Sequence, residues 1–351
     1  MRKTTRQVKI GSINIGNGAP VTIQSMTNTR TSDIDATLEQ IWALQQAGCE
    51  LIRVAVPDQQ AVKAFAAIKS KVNVPLIADV HFNPQLALKA LDAGADKIRI
   101  NPGNIGKRTE LEAIAKKAVS FGIPIRIGVN SGSLEKELLK REGGPTVNAL
   151  VESAVRNIRL MEDFGCEQLV VSIKSSDVLK TISAYEALSK KTHYPLHLGL
   201  TEAGPIKSGT IKSSVAMGVL LYQGIGDTLR VSLTGDPVEE VFVAQQILKA
   251  MGLKSKGITV ISCPTCGRCA IDIVPIAQKV EDHFRYTEKT LTVAVMGCEV
   301  NGPGEAREAD IGIACGKTSA VLFKKGEVLR KVRQEDILTT LIHQVDTWDG
   351  S

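Results

Sequence analysis

Four stretches of this chain read almost as one phrase: AGCELIRV (47–54), AGADKIRI (93–100), FGIPIRIG (121–128) and FGCEQLVV (164–171). In each, a glycine ends a helical pattern, a short connection follows, and an apolar run begins. Working outward from these, strands are expected at 21–26, 51–56, 75–80, 97–102, 124–129, 168–174, 195–200 and 228–233, with helical patterns between them. Eight alternations over about 250 residues predict an α/β fold of the (β/α)8, or TIM-barrel, type. A doubly wound open sheet is the alternative, but no G-x-G-x-x-G follows the first strand.

The barrel reading covers residues 1–254, and the sequence changes character after LKSKGIT (253–259). Residues 258–351 read as a small α+β domain. It opens with ITVISCPTCGRC, then a helix near 272–285, a strand TLTVAVMGC, the turn NGPGE and a strand ADIGIAC. A hairpin VLFKKGEVLRKV and a closing helix from about residue 335 complete it. Within the barrel the longest interval, between the fifth and sixth strands, carries SGSLEKELLKREGGPT (131–146), on the side where barrel loops build active sites.

At 351 residues, 43% apolar and 23% charged, the chain can bury a full core, which excludes disordered and fibrous classes. No run approaches the ~18 apolar residues that a membrane span requires. The opening MRKTTRQVKI is basic without an apolar run behind it, so no secretory signal is expected and the chain is expected in the cytoplasm. A net charge of +6 with only 4% aromatics points away from nucleic acid and towards a pocket for an anionic small molecule. The seven cysteines are an odd number for a disulfide framework, and Cys263, Cys266, Cys269, Cys298 and Cys315 crowd the C-terminal part, which makes that part the metal or redox half.

Parallel barrel strands are buried on both faces and should be apolar throughout, yet these are not. Taking every second residue gives Arg53, Asp79 with His81, Arg99 with Asn101, Arg126 with Asn130, Ser172 with Lys174, His197 with Thr201, and Arg230 with Ser232. Each set keeps one parity, and the only face that seven strands share is the lumen. A layer of salt bridges could fill a barrel, but Arg53, Arg126, Lys174 and Arg230 face few lumen carboxylates, and unpaired buried charge costs several kcal/mol. An anion is the natural partner; several converging cations, Arg99 among them, suit a diphosphate, with Asn101, Asn130, Thr201 and Ser232 on hydroxyls or bridging oxygens. Asp79, His81 and Glu202 are the titratable groups at the mouth, where barrel catalytic residues sit. Glu202 is the candidate proton donor, with a loop cap as its plain alternative, and His197 reads as a core histidine.

In CPTCGRC (263–269), followed by GCEVNGPGE (297–305), two thiolates can clip one corner of a metal group and a distant cysteine can close it. Zinc on Cys263, Cys266, Cys269 and Cys298 and an iron–sulfur group both remain open on spacing, though the small residues around the thiols favour iron–sulfur.

These motifs, with VTIQSM (21–26), ADVHFN (78–83), RINPGN (99–104) and IGVNSGSL (127–134), make the whole chain resemble the 4-hydroxy-3-methylbut-2-enyl diphosphate synthases of the non-mevalonate isoprenoid pathway, in their short bacterial form. The resemblance implies a [4Fe-4S] cluster on Cys263, Cys266, Cys298 and Glu305, with Cys269 and Cys315 as bystanders. It also implies reductive ring opening of 2-C-methyl-D-erythritol 2,4-cyclodiphosphate, with two electrons delivered singly by flavodoxin or ferredoxin. Its substrate positions match Arg53, Asn101, Arg126, Asn130, Lys174, Thr201, Glu202, Arg230 and Ser232. A linker of about seven residues spans at most ~25 Å, little more than the barrel's height. This leads to the expectation of a head-to-tail homodimer, each cluster domain covering the partner's barrel, as the family's dimers imply. Two other readings are a phosphate-binding aldolase or isomerase with a zinc-stabilised tail and Lys174 as Schiff base, and a zinc-ribbon nucleic-acid binder.

Overall fold

The computed structural model describes residues 2–298 and 306–348, and the chain divides between Lys254 and Ser255 into two compact units. The first unit opens on an antiparallel hairpin, β1 (Val8–Ile10) and β2 (Ile13–Ile15). Then β3 (Thr22–Met26), α1 (Ile34–Gln46), β4 (Leu51–Ala55), α2 (Gln59–Lys69), β5 (Leu76–Asp79), α3 (Pro84–Asp92), β6 (Lys97–Ile100) and α4 (Arg108–Phe121) alternate. They continue through β7 (Ile125–Asn130), α5 (Lys136–Glu142), α6 (Val147–Asp163), β8 (Leu169–Lys174), α7 (Val178–Ser189), β9 (His197–Leu198), α8 (Ile206–Tyr222), β10 (Thr228–Leu229) and α9 (Pro237–Ala250). The eight strands β3 to β10 pair in parallel in the order β8-β7-β6-β5-β4-β3-β10-β9. A parallel bridge between Val171 and Leu196 joins the two ends, so the sheet closes into the expected barrel.

Short polar side chains start the helices. Asp33, Asp58, Asn83, Thr146, Asp177 and Asp236 each accept a backbone N–H at the N-cap of the helix that follows. The outward strand residues, among them Ile52, Val54, Ala78, Ile98, Ile127 and Val171, pack against Leu38, Ile41, Phe65, Ile114 and Leu150 of the helices in one buried core. The inward residues therefore need not be apolar except at the bottom. There Leu51, Ile77 and Val170 meet Val8, Ile10 and Ile15 of the hairpin, an apolar floor that strands of three residues do not announce in sequence.

Strands β9 and β10 are shorter than the six residues expected for each. The N–H of Leu196 is taken by Asp227 Oδ2 at 2.9 Å, which ends the ladder on one side. On the other side the backbone turns at Gly199 (φ +155°), where a Cβ would stand 2.5 Å from the Arg230 carbonyl.

The second unit is a mixed sheet in the order β11 (Ile258–Ser262), β12 (Leu291–Met296), β13 (Ile311–Cys315), β14 (Ser319–Lys324) and β15 (Glu327–Arg333), with α10 (Val274–His283) and α11 (Ile337–Asp346). β11, β12 and β13 run parallel, and the last two strands run antiparallel. The helices cover one face through Val280, Phe284, Ile337, Leu341 and Val345. Among the described residues no helix is long and apolar enough to cross a membrane.

One lumen residue carries a cost with no visible return within the fold. Lys97 is fully buried, and its Nζ has no hydrogen-bond partner among the described residues. Burial and the nearby Arg126 and Arg53 hold its amine well below the ordinary 10.5. Lys97→Met keeps the stem and removes the polar end, so it is expected to raise unfolding free energy by about 1–3 kcal/mol at neutral pH. Because the folded state disfavours the proton, the wild-type deficit should shrink as pH rises towards the lysine's ordinary value. Denaturant titrations of both chains at several pH values check it, and a less stable variant would sink the reading.

Candidate active site

The C-terminal ends of the barrel strands enclose a cavity of about 280 Å³. Arg53, Asp79, His81, Arg99, Arg126, Asn130, Lys174, Thr201, Glu202, Arg230 and Ser232 all line it, together with Met26, Ser172 and Leu200. The cavity thus brings together every candidate in the barrel except Asn101, Glu202 having been expected from its place at a strand end and the others from parity or the mouth position. Asn101, just past the end of β6 at Ile100, has its Nδ2 donating to Ser133 Oγ at 2.8 Å instead.

Asp79 is the hub. Its Oδ1 accepts from Arg99 Nη1 at 3.1 Å and lies 3.5 Å from His81 Nε2, while Oδ2 lies 3.7 Å from Arg53 Nε. His81 also contacts Arg99 directly. Burial pushes the Asp79 carboxyl up, but Arg53, His81 and Arg99 outweigh it and hold the group well below the usual carboxylate range. Arg99 lies over the neighbouring strand because Gly128 leaves it room; a Cβ there would stand 2.6 Å from Arg99 Nε. With its amide turned to satisfy both neighbours, Asn130 accepts from Arg99 Nη2 at 3.3 Å and donates to the Val129 carbonyl at 3.1 Å.

The second carboxylate was not visible to strand parity, because it comes from a helix. Glu240 of α9 is buried and takes Arg230 Nη2 at 3.2 Å, the Ser25 hydroxyl at 3.1 Å and the Leu233 N–H at 3.0 Å. Arg53 and Arg230 are thus partly answered within the protein, contrary to the expectation that both stand bare. Arg126 and Lys174 are not. Both are buried, Arg126 leaves Nε and Nη1 without partners, and neither makes an ion pair among the described residues. Burial and the surrounding arginines push the Lys174 amine and the Arg126 guanidinium well below their ordinary values. Lys97, two residues before Arg99 and so of the same parity, adds a further buried cation that the sequence reading passed over. His197 is buried, bonded through Nδ1 to Thr228 Oγ1 at 2.7 Å, with Nε2 unpartnered among the described residues.

Two mouth residues sit on strained backbone. Phe82 (φ 60°) and Glu202 (φ 53°) adopt the left-handed region that non-glycine residues rarely visit. Phe82 is exposed beside the His81 ring, with centroids 5.8 Å apart, and Glu202 is exposed at the rim.

In the C-terminal unit three neighbouring parallel strands end at one edge of the sheet, and each end carries a cysteine: Cys263 after β11, Cys298 after β12 and Cys315 closing β13. The intervening loop brings Cys266, which is exposed, and Cys269, whose N–H bonds the Cys266 carbonyl at 2.9 Å. Gly297 N–H donates to Cys263 Sγ at 3.2 Å, and a Cβ on Gly297 would meet Cys269 Sγ at 2.1 Å. Burial raises the Cys269 thiol, and the neighbouring Cys263, Cys266 and Cys298 add to the rise. Glu305 lies outside the described residues. Soft thiolates, an N–H aimed at sulfur and a glycine beneath them fit an iron–sulfur group. A ready-made seat for a single metal ion, three Cys, His, Asp or Glu side chains close together, is absent among the described residues.

Asp79→Asn is expected to leave Arg53 and Arg99 unanswered and to cost about 3–5 kcal/mol at neutral pH. A carboxylate whose proton affinity is lowered by folding stabilises above its unfolded value, so the gap should close as pH falls below about 4. Unfolding free energies measured from neutral to acid pH decide it.

A sequence profile of the GcpE TIM-barrel domain matches residues 5–245, and that of the GcpE protein C-terminal domain matches 259–347. Among curated relatives, the 4-hydroxy-3-methylbut-2-en-1-yl diphosphate synthase (flavodoxin) of Caldanaerobacter subterraneus subsp. tengcongensis is 55% identical over 346 residues, covering 99% of this chain and 98% of that one. The enzyme of the same name from Geobacter sulfurreducens is 54% identical over 346 residues, with 99% and 98% covered. Among solved structures, dihydropteroate synthase of Yersinia pestis superposes with a TM-score of 0.52 at 17% identity, covering 72% of this chain and all of that one, a likeness of barrel fold alone.

Proposed function

Since the chain belongs to the GcpE family and is an oxidoreductase, we propose that its barrel binds 2-C-methyl-D-erythritol 2,4-cyclodiphosphate and opens it reductively to 4-hydroxy-3-methylbut-2-enyl diphosphate. Two electrons and two protons enter, the ring C–O bond opens, and one water leaves. The observation that carries the reading is the pair of buried, unanswered cations, Arg126 and Lys174, lining the cavity between the partly answered Arg53, Arg99 and Arg230. Buried positive charge of this kind is stable when a multiply charged anion completes it, and guanidinium forks match phosphate oxygens.

Each residue then has a task. Arg126 and Lys174 grip the diphosphate directly, and Arg53, Arg99 and Arg230 surround it while Asp79 and Glu240 hold them in place. Asn130, Thr201 and Ser232 take the sugar-derived hydroxyls. Glu202, on its strained backbone at the rim, hands a proton to the departing hydroxyl, and His81 is held towards the cavity by Asp79. Cys263, Cys266 and Cys298, with Glu305, would hold a [4Fe-4S] cluster, which supplies electrons one at a time when bound. A flavodoxin, in line with the relatives' names, or a ferredoxin passes those electrons in. The seven residues between α9 and β11 favour a head-to-tail homodimer in which each cluster unit serves its partner's barrel. The cytoplasm is the proposed location. The zinc-tailed aldolase or isomerase is not favoured: the relatives carry the synthase name over nearly their whole length, and the lumen cations suit an anion better than a Schiff base.

Arg126→Met and Lys174→Met should each weaken binding of the cyclic diphosphate by about 10–100-fold, the loss of one charge-assisted contact. Burial and its cationic neighbours lower the proton affinity of Lys174, and an incoming anion reverses that field. Binding should therefore take up a proton and weaken as pH rises, an uptake that Lys174→Met abolishes. Titration calorimetry in buffers of different ionisation heat measures both, and unchanged affinity in Arg126→Met would end the reading. Mixing Cys298→Ala chains with Arg126→Ala chains tests the dimer: recovered turnover is expected, and its absence refutes supply in trans.

A further inference from the structure

We propose that Cys263 and Cys269 form a reversible disulfide whenever the cysteine loop is without its iron, closing the site until a dithiol reopens it. The proposal rests on the iron–sulfur reading of this unit. Cys269 would be, on the family resemblance, a bystander, but the structure does not place it as one. Its sulfur lies close to the Cys263 sulfur, the two approaching one point above Gly297. Both sulfurs crowd over the same Cα: the position of a Cβ on Gly297 is 2.1 Å from Cys269 Sγ and 3.4 Å from Cys263 Sγ. The turn that carries Cys269 back is pinned on both sides, by Cys269 N–H to the Cys266 carbonyl at 2.9 Å and Ala270 N–H to the Gly297 carbonyl at 2.8 Å. Cys266, by contrast, is exposed, and Cys298 and Cys315 are buried behind the strand ends.

The chemistry balances with a peroxide as oxidant. A thiolate of the pair attacks a peroxide oxygen, becomes a sulfenic acid and releases water; the second thiol attacks that sulfur, the S–S bond forms and a second water leaves. The sulfurs give up two electrons and two protons, and the peroxide accepts them. Cys263 is thereby unavailable as a ligand but also protected from irreversible oxidation, and exchange with an added dithiol returns both thiols.

The test uses the full-length chain in two states, loaded anaerobically with iron and sulfide, and stripped of them. Hydrogen peroxide added to the stripped chain should remove two of its seven thiols, and peptide mapping should join Cys263 to Cys269. The loaded chain should resist. Iron and sulfide uptake by the oxidised chain should fail, then recover after dithiothreitol. Cys269→Ser and Cys269→Ala, each checked for a wild-type melting curve, should lose no thiol pair and should carry Cys263 on to sulfinic acid. A map joining Cys263 to Cys266 or Cys298, or thiol loss unchanged in both variants, overturns the proposal. A chain that takes up no iron or sulfide in any state overturns the iron–sulfur reading instead, while the peptide map still decides the disulfide.

Discussion

Buried like charge is the constraint around which the barrel is arranged. Arg53, Lys97, Arg99, Arg126, Lys174 and Arg230 all point into one closed ring of strands, and among the described residues Asp79 and Glu240 are the carboxylates that meet them in ion pairs. Taking such groups out of water costs several kcal/mol each unless something answers them. The outer wall of the barrel supplies the surplus that lets the lumen remain uncompensated, because the strand residues facing the helices are apolar almost without exception. An arrangement of this kind is poor for stability and well suited to seizing an anion.

The two carboxylates divide the lumen into an internally satisfied part and a part that is not. Asp79 ties Arg53, Arg99 and His81 into one network, and Glu240 anchors Arg230 to Ser25 and to the backbone of Leu233. Pre-set side chains of this sort lose little freedom when a ligand arrives. Arg126 and Lys174 are left without an ion-pair partner among the described residues, and glycines at 128 and 199 make room for Arg99 and Lys174 of the neighbouring strands.

The same geometric rule operates in both units. Parallel neighbours all finish at one edge, so residues far apart in sequence arrive together there: His81, Thr201, Glu202 and Ser232 in the barrel, Cys263, Cys298 and Cys315 in the smaller sheet. In the smaller sheet the glycine before Cys298 decides how closely the sulfurs approach, since any side chain at Gly297 would occupy the place of the Cys269 sulfur.

Local sequence determined a good deal. Period-two alternation identified the lumen face, because a strand's backbone sends successive side chains to opposite sides whatever surrounds it, and glycine-terminated helices set the strand count. Motif spelling carried the family, while the choice that spacing left between zinc and iron–sulfur rests on the resemblance alone. Tertiary structure decided the rest. Whether a lumen cation is paired depends on what a distant helix brings, as Glu240 does for Arg230; Asn101 turned from the cavity to the Ser133 hydroxyl of the following loop; the hairpin at Val8–Ile15 became a floor only by meeting Leu51, Ile77 and Val170. Charge compensation, side-chain partners and burial are sums over neighbours in space, and periodicity along a chain carries no record of them.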